Sequence, residues 1–595
     1  MASAKKLDGM GALPHRGKVA FRVWAPYASE VSVVGAFNAW DPRKHPMQAE
    51  ENGLWYADVA DAKVGDEYKF HLVTPAGALD RIDPYAREVT SSVGNGVVHD
   101  AHFDWAGDDF HLAPWNALVI YELHVGTFND ENAKDDKPGQ FGSVADRLGH
   151  LKKLGVNAIQ IMPVAEFAGS RSWGYNPAHI FSVENAYGGP MALKRFVKRA
   201  HEHGIAVILD VVYNHFGPSD LDLWQFDGWS ENGRGGIYFY NDDRAVTPWG
   251  ETRPDFGRGE VRRFIRDNVL MWLDEYHIDG LRFDCTQYIR TVNGVERDLP
   301  DGWSLLGAIN SDIAGRFPGR ITIAEDLQNY RRLTQSVEDG GAGFGAQWDS
   351  NFVHPIRQAV ITPQDEQRSI AAIRDAILYR YNDDAFDRVI YSESHDEVAN
   401  GKARVPQEVD PADPQGWYAQ KRSTLAAALV FTAPGIPMLF QGQEFLQGAY
   451  FRDTVPLDWD QRDAFHGIVR LYRDLIRLRL NREGCTRGLC GQFTQVFHVD
   501  DAGKVIAFHR WATGGPADDV VVVANFHHEA KDGYVIGLPT EGTWKLRFNS
   551  DWHGYSDDFA NHPSADIVAE AGEFDGLPFH AAVAIGPYSV LIFSR

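Results

Sequence analysis

From about residue 117 this chain repeats one unit, a short apolar run followed by a polar stretch that often carries helical spacing. Eight such runs can be counted: ALVIYELHV, VNAIQIMPV, IAVILDVV, IDGLRFD, ITIAED, AQWD, RVIYSES and IPMLFQG. Each has strand length, and continuous apolar character marks a strand buried on both faces. Amphipathic segments such as SVADRLGHLKKLG and MALKRFVKRAHEHG lie between several of them. Strands alternating with helices imply a parallel sheet, and eight repeats close most simply into a (β/α)8 TIM barrel. In that fold the chemistry sits at the C-terminal ends of the strands.

The flanks read differently. VAFRVWAP, VSVVGAF, LWYADV and EYKFHLV in the first hundred residues are short strands separated by Gly, Pro and Asn, the pattern of a small immunoglobulin-like β-sandwich. FTQVFHV, KVIAFHRW, DVVVVANF, GTWKLRF and SVLIFSR return to strands near the C-terminus. The chain is therefore expected to be multidomain: a β-sandwich at 1–105, a barrel at 106–485 and a C-terminal all-β domain at 486–595. A Trp-, Gly- and Asp-rich insert at about 213–258 is too long for an ordinary connection and is expected to roof part of the barrel mouth.

Three carboxylates stand at the ends of barrel runs: Asp284 after run four, Glu325 after run five and Asp396 after run seven. A lone acid at a strand end more often caps a turn than reacts. Joint placement on one rim is the argument, because paired carboxyl groups cleave glycosidic bonds, one protonating the leaving oxygen while the other attacks the sugar carbon. Arg282 lies two residues before Asp284, so both project to the barrel interior, and the guanidinium is expected to favour the ionised aspartate. Glu325 has the opposite need, a pKa raised by exclusion of water and by neighbouring acids. Strand alternation points Cys285 away from Asp284 and gives it a structural role.

Bulk properties narrow the class. Lys and Arg total 58 against 82 Asp and Glu, a net charge of -24 that argues against nucleic acid as a partner. No run reaches the roughly 18 apolar residues of a membrane helix, and the first residues lack the apolar core of a secretory signal, so a cytoplasmic location is expected. Three cysteines, Cys285, Cys485 and Cys490, are too few for a disulfide framework; the spacing of Cys485 and Cys490 leaves a pairing between them open. Neither CxxC nor HExxH occurs, and no metal or other cofactor is expected.

Over essentially its whole length the sequence resembles glycoside hydrolase family 13, the α-amylase family. DVVYNH (Asp210 to His215), GLRFD (Gly280 to Asp284), AED (Ala324 to Asp326) and SHD (Ser394 to Asp396) occur in that family's order. The resemblance implies Asp284 as nucleophile, Glu325 as acid/base and Asp396 as transition-state stabiliser. It also implies sugar binding by Arg282, His215 and His395, supported by Asp210 and Asn214, with Tyr175 of WGYNP stacked beneath the reacting ring. FRVWAP and GAFNAWD resemble the starch-binding sandwich that precedes such barrels; Trp24 and Phe37 are expected to fill its core rather than to bind glycan. Asn214 matches a position that often supports calcium, but the acids around it are not arranged as a six- to eight-oxygen shell.

The family implies an α-1,4-glucan or maltooligosaccharide substrate and leaves the reaction open. HDEVANGK (His395 to Lys402) and FQGQEF (Phe440 to Phe445) resemble 1,4-α-glucan branching enzymes, and Glu397 and Gln443 are expected near the substrate. VIYELHVGTF, AEDLQNYRRLT and FGAQWDSNF resemble maltooligosyltrehalose trehalohydrolases instead. Branching is the favoured expectation, with trehalose release or amylase-type hydrolysis as alternatives. A non-catalytic glycan-binding barrel is the remote one, since all three acids are kept.

Overall fold

The computed structural model describes residues 6–130 and 137–595. Its centre is a closed barrel of eight parallel strands: β1 (Ile120–Leu123), β2 (Ala158–Ile161), β3 (Ala206–Val211), β4 (Gly280–Phe283), β5 (Ile321–Ala324), β6 (Ala346–Trp348), β7 (Arg388–Ile390) and β8 (Ile436–Phe440). Each pairs with its sequence neighbour, and β8 closes on β1 through Met438 opposite Ile120. All eight fall within the apolar runs named above. Ile120, Ala158, Ile208, Ile323, Ala346 and Met438 fill the barrel interior. Alternate residues such as Tyr121, Ile159, Leu209 and Phe283 join the larger core that includes the surrounding helices. One expected helix is broken: SVADRLGHLKKLG forms two short helices, Phe141–Ala145 and Leu148–Leu154. Between them Arg147 leaves the helical path, donating to Asn129 and covering the ring of Trp459.

Residues 11–97 form two antiparallel sheets facing each other. In Glu67–Thr74 every second residue is buried, which is the period of a strand with one face on the core. Phe37 packs on Phe21, and Trp24 is buried edge-on against Tyr238 of the insert, as expected of core aromatics. Asn38 clasps its own loop, accepting from Gly35 N and donating to Val33 O.

The long insert has a role that its sequence did not suggest. It locks the sandwich onto the barrel: Arg81 donates to Phe226 O at 2.9 Å, Ile82 N to Asp222 at 2.7 Å, and Tyr27 stacks on Trp229 at 4.8 Å. From the far part of the insert Trp249 also reaches the reactive rim, stacking on His215.

The C-terminal strands, from Phe493–Asp500 to Ser589–Ser594, form one antiparallel path of eight that bends on itself around Val521, Ile536, Trp544 and Val583. Lys421, in the helix Trp417–Thr432 preceding β8, is fully buried and joins the domains through Asp551 at 2.7 Å and Ser589 at 2.8 Å. All three cysteines are free thiols.

Replacing Asp551 with Ala leaves the Lys421 ammonium buried without its counter-charge, a loss of about 3–5 kcal/mol. Calorimetry of the full chain should show its first transition shifted down, with a smaller shift for Asp551→Asn.

Candidate active site

The site is laid out by the two-residue period of the strands. Glu122, Gln160, Asp210 and Arg282 occupy the last inward positions of β1 to β4, with Glu122 opposite Gln160 and Asp210 opposite Arg282 in register. One inward step beyond Arg282 is Asp284. Arg282 has no exposed surface. Its Nη1 donates to Asp210 Oδ1 and Oδ2 at 2.9 and 2.7 Å and to Asp284 Oδ1 at 2.9 Å. Nη2 lies 2.9 Å from Glu325 Oε2, an ion-pair contact whose angle falls short of a hydrogen bond. The ring of Trp348 covers the guanidinium at 4.3 Å.

One cation thus touches three carboxylates, and their proton affinities part. Burial pushes Glu325 up to about 7, against the pull of Arg282 and with help from Asp284 and Asp396. Asp210 rises to about 6 through burial, again opposed by Arg282. Asp284 also moves upward, because burial outweighs Arg282 and the hydrogen bond from Asn214 Nδ2 at 2.9 Å. That corrects the expectation that the guanidinium would leave the aspartate in its ordinary range: Arg282 limits the rise rather than reversing it.

All nine expected residues meet here. Tyr175 donates through its hydroxyl to Asp210 Oδ2 at 2.7 Å and stacks on His395 at 5.0 Å. Asp396 is half-buried, accepts from Asn400 Nδ2 at 2.7 Å, and acts electrostatically on both Glu325 and His395. His215 is buried, with Nδ1 2.8 Å from Asn214 Oδ1 and Nε2 2.9 Å from Tyr175 O. Both nitrogens face oxygen acceptors, and a neutral ring can give its single N–H to only one of them; through its contact with Asn214 it steadies that amide on Asp284. Burial lowers it to about 4, so the ring is neutral at physiological pH.

Glu122 escaped the sequence reading. It is a buried glutamate in the middle of an apolar run, and that oddity was the available signal. Its carboxylate accepts from His395 N at 3.0 Å and lies 2.6 Å from His395 Nδ1. Burial pulls the His395 imidazole down, but Glu122 and Asp396 lift it to about 9, so it carries a positive charge near neutrality. Its Nε2 makes no hydrogen bond to the described residues, leaving a charged donor for a ligand hydroxyl. A second unforeseen feature is Cys285. It sits at φ 44°, a left-handed conformation uncommon for a side-chain-bearing residue, and this aims its backbone N–H at Glu325 Oε2, 2.8 Å away. Its side chain is buried, in keeping with a structural role.

Two other expectations fail. Glu397 pairs with His354 at 3.1 Å and Lys402 at 2.9 Å, while Gln443 is buried and donates to Ser392, so both serve the loops behind the rim. Asp326 is likewise internal, gripping Arg290 at 2.7 and 3.0 Å. Among the described residues one cluster, Asp365 with His527 and His528, has the proximity of metal ligands. It lies where the barrel meets the C-terminal domain, and Arg368 already neutralises Asp365 there.

A parallel barrel with an acid pair on its C-terminal rim defines a glycosidase-type active centre. Family models agree with each part of the chain: carbohydrate-binding module 48 (isoamylase N-terminal domain) at residues 9–86, the α-amylase catalytic domain at 123–225 and the α-amylase C-terminal all-β domain at 497–595. The chain is 32% identical to a 1,4-alpha-glucan branching enzyme of Rhodospirillum rubrum over 96% of its own length and 79% of the relative's. A branching enzyme of Myxococcus xanthus is also 32% identical, over 99% and 83%. Pullulanase from Anoxybacillus, solved with maltotetraose, shares the fold at a TM-score of 0.77 and 22% identity, covering 99% of this chain and 88% of that one. The chain belongs to the α-amylase family, glycoside hydrolase family 13.

Substituting Glu122 by Gln removes the charge that holds His395 protonated. The imidazole pKa should fall by about 1–3 units, read by NMR titration of the His395 ring. An unchanged titration would mean that Glu122 does not set the charge of His395.

Proposed function

We propose that this protein is a 1,4-α-glucan branching enzyme that works by double displacement. The observation that supports the reading most is the near-complete alignment with branching enzymes together with a full set of catalytic groups on one rim. Glu325, holding its proton near neutrality, gives it to the glycosidic oxygen as the C1–O bond breaks. Asp284 attacks C1 and forms a glycosyl ester. The 6-hydroxyl of a second glucan then attacks the same carbon, loses its proton to Glu325 and expels Asp284, so that an α-1,4 bond is exchanged for an α-1,6 bond with retention. Arg282 and the charged His395 stabilise the negative groups around a reacting ring that becomes cationic, and Tyr175 supplies an apolar face beneath it. Asp396 is placed to hold that ring's hydroxyls. An α-1,4-glucan is the substrate proposed.

The residues found turned inward, Glu397 and Gln443, lend this reading no support. Asp326, in the segment that resembles trehalohydrolases, is buried and bonded to Arg290, so at that position the likeness does not bear on substrate.

Proton NMR of products from amylose and from a maltooligosyltrehalose tests the reading. New α-1,6 anomeric signals with few new reducing ends are expected. Free trehalose, or reducing ends alone, would replace it with trehalohydrolase or amylase-type hydrolysis.

The charge states make a further prediction. As pH rises through about 7, Glu325 loses the proton it must donate, so kcat should fall on that side; protonation of Asp284 sets the acid limb. Glu325→Gln should lower turnover at least ~100-fold while glucan binding persists. Full turnover in that variant would remove Glu325 from its role.

A further inference from the structure

The seam between barrel and C-terminal domain carries a second cluster of chemically able side chains. Asp365 opens the short turn Asp365–Gln367 beyond the helix Ser350–Ile361, and it meets His527 and His528, which follow the strand Val520–Asn525. One oxygen of the aspartate and one nitrogen of each imidazole lie within 4.8 Å of one another.

The local sequence explains why two consecutive histidines face one way. In an extended strand they would point to opposite sides. Here Asn525 folds the chain back, accepting from His527 N at 3.0 Å and donating to Glu529 O at 2.9 Å. The two rings stack at 4.5 Å, and both address a single atom: His528 Nδ1 is 2.6 Å and His527 Nε2 3.9 Å from Asp365 Oδ2. Ligand atoms on a tetrahedral zinc ion stand about 3.3 Å apart. The two distances fall on either side of that value, and the His528 side chain, 52% exposed, is free to turn.

The surroundings hold the ligands in place. Arg368 and the Tyr588 hydroxyl take the other aspartate oxygen, Oδ1, which orients the carboxylate and leaves Oδ2 to the imidazoles. Burial, with Lys531 beside it, holds His527 below the ordinary imidazole range, so the ring is neutral near pH 7 and can offer a lone pair. Its Nδ1 accepts from Glu529 N at 3.1 Å. With zinc on Nε2 the ring proton belongs on Nδ1, and Glu529 Oε2, 3.8 Å away, is there to receive it. A cavity of about 430 Å³ opens beside Asp365 and His528, with room for a water ligand; Glu366 and Asp410 in its wall set negative charge against Arg422. Two imidazole nitrogens and one carboxylate oxygen suit zinc, whereas calcium takes six to eight oxygens.

We propose that Asp365, His527 and His528 form a zinc site that clips the C-terminal domain to the barrel, with water completing the tetrahedron. The site is independent of which reaction runs at the barrel rim.

The test is calorimetric titration of the chelator-treated full chain with zinc, beside His527→Gln and His528→Gln. One zinc per chain is expected in the wild type, with affinity lowered at least ~10-fold in each variant. Binding should weaken as pH falls from about 7.5 to about 5.5, because protons compete for the imidazoles. Zinc should raise the thermal midpoint of the wild type and leave both variants unmoved. Cobalt in place of zinc should give the visible bands of a tetrahedral ion in the wild type alone. Turnover without metal should be the same in all three proteins, since neither imidazole reaches the rim. Equal zinc affinity in all three, which would put the ion on cysteines or on the rim acids, would overturn the proposal. So would the absence of binding at zinc concentrations of about 100 μM, well above the affinity expected of a built three-ligand site.

Discussion

The guanidinium of Arg282 is the contact on which the rest of the site depends. It is buried without exposed surface and bonded to Asp210 and Asp284, with Glu325 in ion-pair contact. A barrel interior of Ile, Ala and Met is a poor solvent for three carboxylates. Without a cation among them, each acid would hold its proton, and none would be a nucleophile near neutrality. With one cation among three, the acids divide by position. Glu325 keeps a proton to about 7, while two hydrogen-bond donors, Arg282 and Asn214, work on Asp284 to restrain its rise. Removing the cation would therefore damage both charge state and packing, and lysine cannot present the same two-nitrogen fork.

The scaffold around this contact is built to hold it still. Strand register places Asp210 opposite Arg282, and the insert stacks Trp249 on His215, which in turn fixes Asn214 on Asp284. Glu122 does for His395 what Arg282 does for the acids: it sets a charge by proximity inside a dry core. The rim that results is asymmetric. Acid chemistry lies over β4 and β5, and a space lined by aromatic rings, amides and charges of both signs opens beside the loops after β7 and β8.

Much of this was legible in the sequence because strands buried on both faces are written as unbroken apolar runs, and all eight barrel strands fell inside such runs. Asp210, Arg282, Asp284 and Glu325 converge because they continue the inward period of β3, β4 and β5, whereas Tyr175, Asn214, His215, His395 and Asp396 are carried to the rim by the loops after β2, β3 and β7. What the sequence hid was of another kind. Glu122 lies inside an apolar run, and its value depends on His395, more than 270 residues away. The left-handed turn at Cys285 makes its backbone, rather than its thiol, the functional part. Glu397 and Gln443 stood in suggestive motifs, yet they turn inward because loop partners claim them. The insert revealed its length but not its partner, since the surface it grips belongs to the first domain.

The most direct test of the account is to trap the glycosyl enzyme. An activated glycosyl fluoride needs no acid to leave, so in Glu325→Ala it should load the enzyme and then stall for want of a base. Mass spectrometry of the digested adduct should find the sugar on the peptide carrying Asp284. A sugar on any other residue, or release of an inverted product with no adduct, would contradict the division of roles between Asp284 and Glu325.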